Sequence, residues 1–252
     1  MRSKTLRLQG FSNRSNAPTH DVVYDAGMTA LRIDFVSDVA CPWCAVGLGA
    51  LEQALERLSP DNITATIHLQ PFELNPHMGP GGQDLGEHLT QKYGTTPEQQ
   101  AEIRQTITTR GAEVGFAFHP NGRGRVYNTF NCHRLLHWAE SLDDDEQTQG
   151  YALALKKALL RAYQGRAENM DDLAVLLACV AEVGLDVDDA SALLQSQAFA
   201  QDVRDRQAFF TQAGIQSVPA IIINRRHLIS GGQPAHVFEQ ALRQIAQESP
   251  TA

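Results

Sequence analysis

The sequence predicts an α/β fold in which a small sheet with its own helices is interrupted by a large all-helical insertion. Apolar runs typical of β-strands occur near residues 31–35, 63–69 and 220–229. From about residue 84 to residue 196 the apolar residues follow helical spacing instead. We therefore expect two separated segments of one α/β domain with a helical domain between them.

Four segments divide the chain, whose 252 residues are enough to bury a full hydrophobic core. We predict a flexible tail at 1–28, the α/β domain at 29–76 and 199–252, and the insertion at 77–198. The tail lacks the apolar run of about 7–15 residues that marks a secretory signal, and Met28 is a second candidate for the native first residue. We expect a cytoplasmic location, where most cysteines are reduced.

The first α/β segment is predicted to be a strand–helix–strand unit. Alternating apolar residues at 31–35 indicate a strand, and the leucines at 48–58 share one face of the helix that follows. After a turn at 59–62, a second alternating run at 63–69 indicates another strand. The crossover of such a unit should be right-handed.

The rest of the chain is predicted to be a helical block followed by a return to β structure. The helical patterns of the insertion lie at 84–93, 97–114, 128–141, 146–164, 171–183 and 186–196. A helix ending near Gly214 precedes the run at 220–223, which is short enough for a strand buried on both faces. A partner strand at 227–229 and a last amphipathic helix complete the chain.

Composition and charge exclude several classes of partner. The net charge is −8, with 42% hydrophobic and 20% charged residues, and no basic stripe accompanies the aromatic residues. We therefore expect neither nucleic acid nor an anionic membrane surface as a partner. No stretch approaches the roughly 20 apolar residues of a membrane span.

The run Cys41-Pro42-Trp43-Cys44 opens the first helix. Proline is favoured at the first helical position, so Cys41 falls at the positive end of the helix dipole. This position can lower a cysteine pKa from about 8.5 to between about 3.5 and 7.5. Cys44 lies one turn deeper, close enough to close a small disulfide ring. The pattern predicts an exposed thiolate with a partner for dithiol–disulfide exchange, and a partly exposed Trp43.

Zinc binding is the main alternative for a cysteine pair at this spacing. A structural zinc site needs two further ligands, usually as a second close pair. Cys132 and Cys179 stand alone in helical patterns, and no carboxylate or cysteine complements His133 and His137 at suitable spacing. We predict no metal site, and we expect Cys132 and Cys179 to be buried small hydrophobes.

Pro219 is the second chemical landmark, because it opens a predicted buried strand. A proline fits there when its bond is cis or when its missing N–H faces an open edge. We predict a cis Val218–Pro219 bond beside the dithiol. The backbone of Val218 would then be free to pair with an extended substrate chain.

These features together resemble a thioredoxin fold with a helical insertion, as in the DsbA-like oxidoreductases. The resemblance is to the FrnE branch, whose relatives include 2-hydroxychromene-2-carboxylate isomerases and kappa-class glutathione transferases, and it covers about residues 30–247. The motifs that carry it are Ser37 to Cys44, Phe72 to Pro76, Asn128 to Phe130 with His133 to Leu135, Ser217 to Pro219, and Ser230 to Pro234.

The resemblance implies roles for individual residues. Cys41 would attack, Cys44 would resolve the mixed disulfide, and cis-Pro219 would face them. The residues implied to line or close a cleft between the two domains are Phe72, Asn75, Asn128, His133, Gly231, Gly232 and Gln233. Glutathione-using relatives commonly carry serine at the position of Cys41. Some FrnE proteins carry a second cysteine pair near the C-terminus, whereas this chain has none after Cys179.

The sequence thus predicts a thiol–disulfide oxidoreductase acting on disulfide- or thiol-containing proteins or on low-molecular-weight thiols. We expect no bound cofactor, with glutathione as a co-substrate, and a monomer or a homodimer. Two alternatives stay open. One is a glutathione-dependent isomerase or transferase acting on a small aromatic compound in the same cleft, and the other is a non-catalytic redox sensor or holdase.

Overall fold

The computed structural model describes residues 29–143 and 150–248, together with the backbone of residues 6–7. The strands are β1 (Leu6–Arg7), β2 (Thr29–Ser37), β3 (Ile63–Pro71), β4 (Gln83–Asp84), β5 (Arg125–Val126), β6 (Ala220–Ile223) and β7 (His227–Ser230). The helices are α1 (Pro42–Leu58), α2 (Leu85–Tyr93), α3 (Pro97–Glu113), α4 (Phe130–Leu142), α5 (Tyr151–Leu160), α6 (Leu173–Glu182), α7 (Val187–Gln195), α8 (Ala200–Gln212) and α9 (Ala235–Glu248).

The main sheet has the strand order β1-β7-β6-β2-β3. β2 and β3 are parallel, and β6 and β7 add antiparallel to β2, as the strand–helix–strand unit and the C-terminal hairpin predict. The flexible tail predicted at 1–28 lies outside the described residues, apart from Leu6–Arg7, which pair with His227 and Leu228 at the sheet edge.

The strand register brings three chain segments together at one edge of the sheet, namely the edge formed by the C-terminal ends of β2 and β3 and by the start of β6. Ser37 at the end of β2 pairs with Pro71 at the end of β3, and Val36 pairs with Ala220 at the start of β6. The turn after β2, the segment after β3 and the segment before β6 must therefore meet there. This edge is where the helix with the two cysteines begins.

The core forms because β2 and β6 are buried on both faces. All four residues of β6 are buried, as its unbroken apolar run predicts. The leucines of α1 at positions 48, 51 and 58 are almost fully buried, and α9 packs along α1 with Phe238 and Leu242 inside. The first helix is thus held rigidly against the sheet, and its N-terminus points to the edge where the three segments meet.

The insertion is helical, as predicted, with two differences in detail. β4 and β5 form a two-residue antiparallel pair where no strand was predicted, because so short a pair has no alternation to detect. The helix predicted at 146–164 corresponds to α5, which continues into a π-helical turn at Arg161–Gly165. Residues 146–149 of the predicted helix lie outside the described part of the chain. Among the described residues, no helix is long and apolar enough to cross a membrane.

Candidate active site

Cys41 is the residue immediately before α1, and the helix-start geometry is the one that its sequence predicts. Its backbone is extended, Pro42 follows at the first helical position, and no acidic residue lies in the first turn. The N–H of Cys41 donates to the carbonyl of Asp38 at 3.1 Å, which closes the turn between β2 and α1. The Cys41 sulfur therefore faces the unpaired N–H groups of a helix N-terminus, where a negative charge is stabilised.

The pKa values of the Cys41 and Cys44 thiols are shifted in opposite directions. The pKa of Cys41 is lowered, first by the hydrogen bond that it accepts from the Cys44 thiol and also by the backbone N–H groups of Cys44 and Trp43; burial opposes the shift. The pKa of Cys44 is raised well above its ordinary value, because the side chain is buried and the Cys41 sulfur lies beside it. Cys41 is therefore the thiol that ionises more readily, and Cys44 is the one held protonated. Both are free thiols here.

Cys41 is less accessible than the sequence predicts. It is only 5% exposed, rather than an exposed thiolate. The thiol donates to the carbonyl oxygen of Val218 at 3.4 Å, and the Val218–Pro219 bond is cis, as predicted. Pro219 packs so closely on α1 that a Cβ added at Gly47 would lie 3.0 Å from its ring. The Val218–Pro219 segment thus covers one side of the sulfur.

The loop predicted to close the site packs against the same helix start. Gly231 donates its N–H to the carbonyl of Pro219 at 2.8 Å. A Cβ added at Gly232 would lie 2.9 Å from the Trp43 carbonyl oxygen, so only glycine allows this approach. Gln233 bonds back to Ser230 within the loop. This loop therefore lies beside Trp43, which is half-buried, and packs against the start of α1 next to Cys41.

Phe72, Asn75 and Asn128, which are also predicted to line the cleft, each contact a different part of the protein. Phe72 packs with Val218 against the apolar cluster under β6. Asn75 accepts a hydrogen bond from the Lys92 ammonium at 2.8 Å, and Asn128 caps the start of α4 by accepting from the N–H of Phe130 at 2.9 Å. These side chains hold the segments around the site in position.

His133 is buried beside Asp38 and is not part of an open cleft wall. It is 2% exposed, and its Nε2 is 3.6 Å from the Asp38 carboxylate, which is too long for a hydrogen bond but close enough for a strong electrostatic contact. Asp38 is fully buried and accepts from the N–H groups of Leu74 at 2.8 Å and Ala40 at 3.1 Å. Burial alone would raise the pKa of Asp38, but His133 and these two N–H groups together lower it. A buried carboxylate thus ties the turn before Cys41 to the segment after β3.

Two side chains of the insertion donate hydrogen bonds to the backbone just before Cys41. Gln164, in the π-helical turn, donates to the carbonyl of Val39 at 2.7 Å. Arg123 donates to the carbonyl of Ala40 at 2.7 Å and lies over the ring of Tyr163. The insertion therefore fixes the backbone just before Cys41 through two hydrogen bonds. The sequence pattern missed both residues, because nothing in helical spacing marks a side chain that reaches another domain.

Cationic groups gather on the insertion side of the site. Lys92 bonds to the Leu74 carbonyl as well as to Asn75. The pKa of His88 is lowered by burial and then by the positive charges of Lys92 and Arg123. Arg110 reaches the carbonyl of Gly232 at 3.4 Å. Arg110 also forms an ion pair with Glu113 at 3.0 Å.

The remaining cysteines do not join the dithiol or a metal site. Cys132 and Cys179 are buried, as predicted. Burial raises the pKa of Cys132 strongly and that of Cys179 to about 11. No group of three or more metal-ligating side chains occurs in the part of the chain that the structure describes.

Comparisons with known proteins identify relatives of this arrangement. The family model for a DSBA-like thioredoxin domain matches residues 32–243. A probable DsbA oxidoreductase from Streptomyces coelicolor has a crystal structure that matches with a TM-score of 0.78 at 32% identity, covering 88% of this chain and 92% of that one. The uncharacterized protein YwbO of Bacillus subtilis (strain 168) is 27% identical over 215 residues, which are 84% of this chain and 96% of YwbO. The cytosolic disulfide reductase DsbM from Pseudomonas aeruginosa has the same fold, with a TM-score of 0.60 at 17% identity, covering 86% of this chain and 100% of DsbM.

Proposed function

Because this chain belongs to the family of DSBA-like thioredoxin domains, we propose that it is a thiol–disulfide oxidoreductase in which Cys41 attacks and Cys44 resolves. The observation that carries the proposal is the placement of Cys41 directly before α1, with Cys44 one turn deeper and the cis Val218–Pro219 bond beside the Cys41 sulfur; the pKa of Cys41 is lowered and that of Cys44 raised in this arrangement. The thiolate is the reactive form of cysteine, so the acidic thiol attacks first. Cys44 is buried and protonated, so it does not react until the mixed disulfide has formed on Cys41.

The exchange proceeds in two balanced steps. The Cys41 thiolate attacks one sulfur of a substrate disulfide, forms a mixed disulfide and releases the first substrate thiolate. Cys44 loses its proton and attacks the Cys41 sulfur, which forms the Cys41–Cys44 disulfide and releases the second substrate thiolate. The substrate gains two electrons and the cysteine pair loses two. The reverse sequence transfers a disulfide to a substrate dithiol.

We propose a small acidic disulfide, glutathione disulfide, as the substrate class. The 5% exposure of Cys41 favours a thin, extended substrate over a folded protein surface. Lys92 and Arg123, which form no ion pair among the described residues, favour substrate carboxylates. DsbM, which shares this fold, has a structure with glutathione. The description of DsbM as cytosolic and the motifs of the sequence further support a cytoplasmic, FrnE-type enzyme.

Reduction of glutathione disulfide by the reduced protein tests the proposal. Wild type should end as the Cys41–Cys44 disulfide, Cys44→Ser should stop as a glutathione adduct on Cys41, and Cys41→Ser should be inert. Intact-mass and peptide mass spectrometry distinguish these products. A Cys41→Ser variant that reacts as fast as wild type would refute the proposal. Turnover of a small aromatic substrate that survives Cys44→Ser would favour an isomerase or transferase instead.

A further inference from the structure

A short turn, the Asp38–Cys41 turn, carries the chain from β2 to Cys41. The N–H of Cys41 donates to the carbonyl of Asp38 at 3.1 Å, which is the hydrogen bond that closes a four-residue β-turn. Val39 and Ala40 are the two central residues of the turn, and both are buried. Their backbone groups are therefore shielded from water and need partners within the protein.

The peptide group between Val39 and Ala40 is held at both ends. Its carbonyl accepts a hydrogen bond from Gln164 Nε2 at 2.7 Å. Its N–H donates to the Asp38 carboxylate at 3.1 Å. The central peptide group of a β-turn can rotate by about half a revolution with little change at the two ends, which is the difference between type I and type II turns. Such a rotation would break both hydrogen bonds, so Gln164 and Asp38 together fix one orientation.

The next peptide group, between Ala40 and Cys41, is held in the same manner. Arg123 donates to its carbonyl at 2.7 Å, and its N–H makes the hydrogen bond that closes the turn. In both peptide groups the N–H is bound by Asp38, which belongs to the turn itself, whereas the carbonyl is bound by a side chain of the insertion. The turn therefore depends on the insertion for the partners of both of its inner carbonyls.

The π-helical turn at the end of α5 fixes Gln164 for this contact. The N–H of Arg166 bonds to the carbonyl of Arg161 at 2.9 Å, across five residues rather than the four of an α-helix. Turns of this kind occur frequently at functional sites. The carbonyl of Gln164 accepts from the N–H of His119 at 2.9 Å, so its backbone is fixed as well as its side chain. Gln164 is also buried, which keeps it away from a substrate.

We propose that Gln164 is a positioning residue for Cys41, which it holds in its reactive place by fixing the peptide group between Val39 and Ala40. The proposal rests on the proposed function, because it adds a residue that serves the attack by Cys41. Loss of the Gln164 donor would leave the Val39 carbonyl buried without a partner. The peptide group would then be free to rotate, which would also break the hydrogen bond from Ala40 to the Asp38 carboxylate.

The position of the Cys41 sulfur matters because its thiolate is stabilised by groups at fixed places. The pKa of Cys41 is lowered first by the Cys44 thiol and also by the backbone N–H groups of Cys44 and Trp43. Burial and the charge of Asp38 act against this. Hydrogen bonds weaken steeply when their angle is lost, so a displaced sulfur is a weaker acid. Replacing the uncharged Gln164 by methionine leaves these charges in place, so a change in the titration of Cys41 reports a change in its position.

Two neighbouring residues of the π-helical turn provide the test variant and its control. Gln164→Met keeps the length of the side chain and removes the donor. The control is Tyr163→Phe, since the buried Tyr163 hydroxyl donates to the carbonyl of Arg125 and accepts from the N–H of Tyr127, both at 3.0 Å. Phenylalanine loses these two hydrogen bonds but keeps the ring over which Arg123 lies. Both variants therefore lose hydrogen bonds in one turn, and only Gln164→Met loses a bond to the Asp38–Cys41 turn.

Alkylation of Cys41 by iodoacetamide, an uncharged reagent, is measured as a function of pH, and peptide mass spectrometry assigns the modified cysteine. In Gln164→Met we expect the pH midpoint to rise by about one unit and the rate below the midpoint to fall about tenfold, because only the thiolate reacts. Tyr163→Phe should keep the midpoint of wild type. A general loosening of the site would change the rate at every pH and leave the midpoint in place. Thermal unfolding shows whether each variant is folded; should Gln164→Met fail to fold, Gln164→Asn, whose amide is one carbon too short for the Val39 carbonyl, takes its place.

Equal midpoints in wild type and the folded Gln164 variant would overturn the proposal, and so would an equal rise in Tyr163→Phe. The same proteins are assayed for reduction of glutathione disulfide. A wild type that fails to reduce it, while the midpoint rises in the Gln164 variant alone, would refute the proposed function and support the positioning of Cys41 by Gln164. The two failures are therefore distinguishable.

Discussion

Replacing Gly47 by alanine should damage the active site while leaving the fold nearly intact. Gly47 is in the second turn of α1, where it meets the segments on both sides of Cys41. An alanine Cβ would lie 3.0 Å from the Pro219 ring and 3.3 Å from Gly232 Cα, so these neighbours must move by a few tenths of an ångström. Because Val218 is bonded to Pro219 and its carbonyl accepts from Cys41 at 3.4 Å, the displacement reaches the nucleophile.

The magnitude follows from two opposing effects. Alanine in a helix interior is favoured over glycine by about 1 kcal/mol. Overpacking costs typically about 1–3 kcal/mol, so the net loss of folding free energy should be between about 0 and 2 kcal/mol. A misplacement of about 1 Å can cost about 100-fold in rate, and a shift of a few tenths should cost about tenfold in the first exchange step.

Gly49 offers a matched control in the same helix. An alanine Cβ there would lie 3.0 Å from the Val114 side chain, an equally tight contact that faces away from Pro219. Denaturant unfolding and the rate of disulfide reduction are measured for both variants. We expect similar unfolding free energies, and a lower rate in Gly47→Ala alone. Equal rates in the two variants would show that the packing of Pro219 and Gly232 on α1 does not position the Cys41 site.

The remaining predictions concern the ionisable groups. Alkylation of Cys41 should have a pH midpoint below the roughly 8.5 of a free thiol, and Cys44→Ala should raise that midpoint because the thiol hydrogen bond is lost; an unchanged midpoint would contradict this. Asp38 has a lowered pKa when folded, so its stabilising contribution is present above about pH 4 and is lost as the pH falls through that lowered value. The difference in unfolding free energy between wild type and Asp38→Asn should therefore shrink only in acid, and a difference that stays constant into acid would count against it. Mild oxidation should join Cys41 to Cys44 and leave Cys132 and Cys179 as free thiols, which peptide mapping by mass spectrometry can check.

The sheet and the first helix were predictable because their signals are local. Period-two alternation at 31–35 and 63–69, the stripe of leucines in α1 and the unbroken run at 220–223 each describe one element that packs on one core. The proline after Cys41 and the cis bond before Pro219 also carry local signatures. The start of α1 at Pro42 and the cis Val218–Pro219 bond could thus be predicted without a structure.

The groups that support the dithiol were not predictable in the same way. Lys156 and Lys157 look like two surface lysines in the sequence, and only the packing of α5 shows that Lys156 is buried and Lys157 partly exposed. Gln164 and Arg123 act through hydrogen bonds to backbone carbonyls more than 80 residues away in the chain. The burial of Cys41 arises from three distant segments that meet at one sheet edge. Such relations depend on tertiary packing, which no periodicity records.

The insertion contributes directly to the candidate site around Cys41. The α/β domain contributes the two sulfurs and the cis proline, while Gln164 and Arg123 hold the carbonyls before Cys41 and His133 faces Asp38. These contacts restrain the turn before Cys41, so the position of its sulfur depends on the α/β segments and on the insertion. It follows that substitutions at the seam between the domains can change the chemistry of Cys41 without touching the four-residue motif. We therefore expect the reactivity of the dithiol to depend on the contacts of the insertion with residues 38–40 as well as on the Cys-Pro-Trp-Cys sequence.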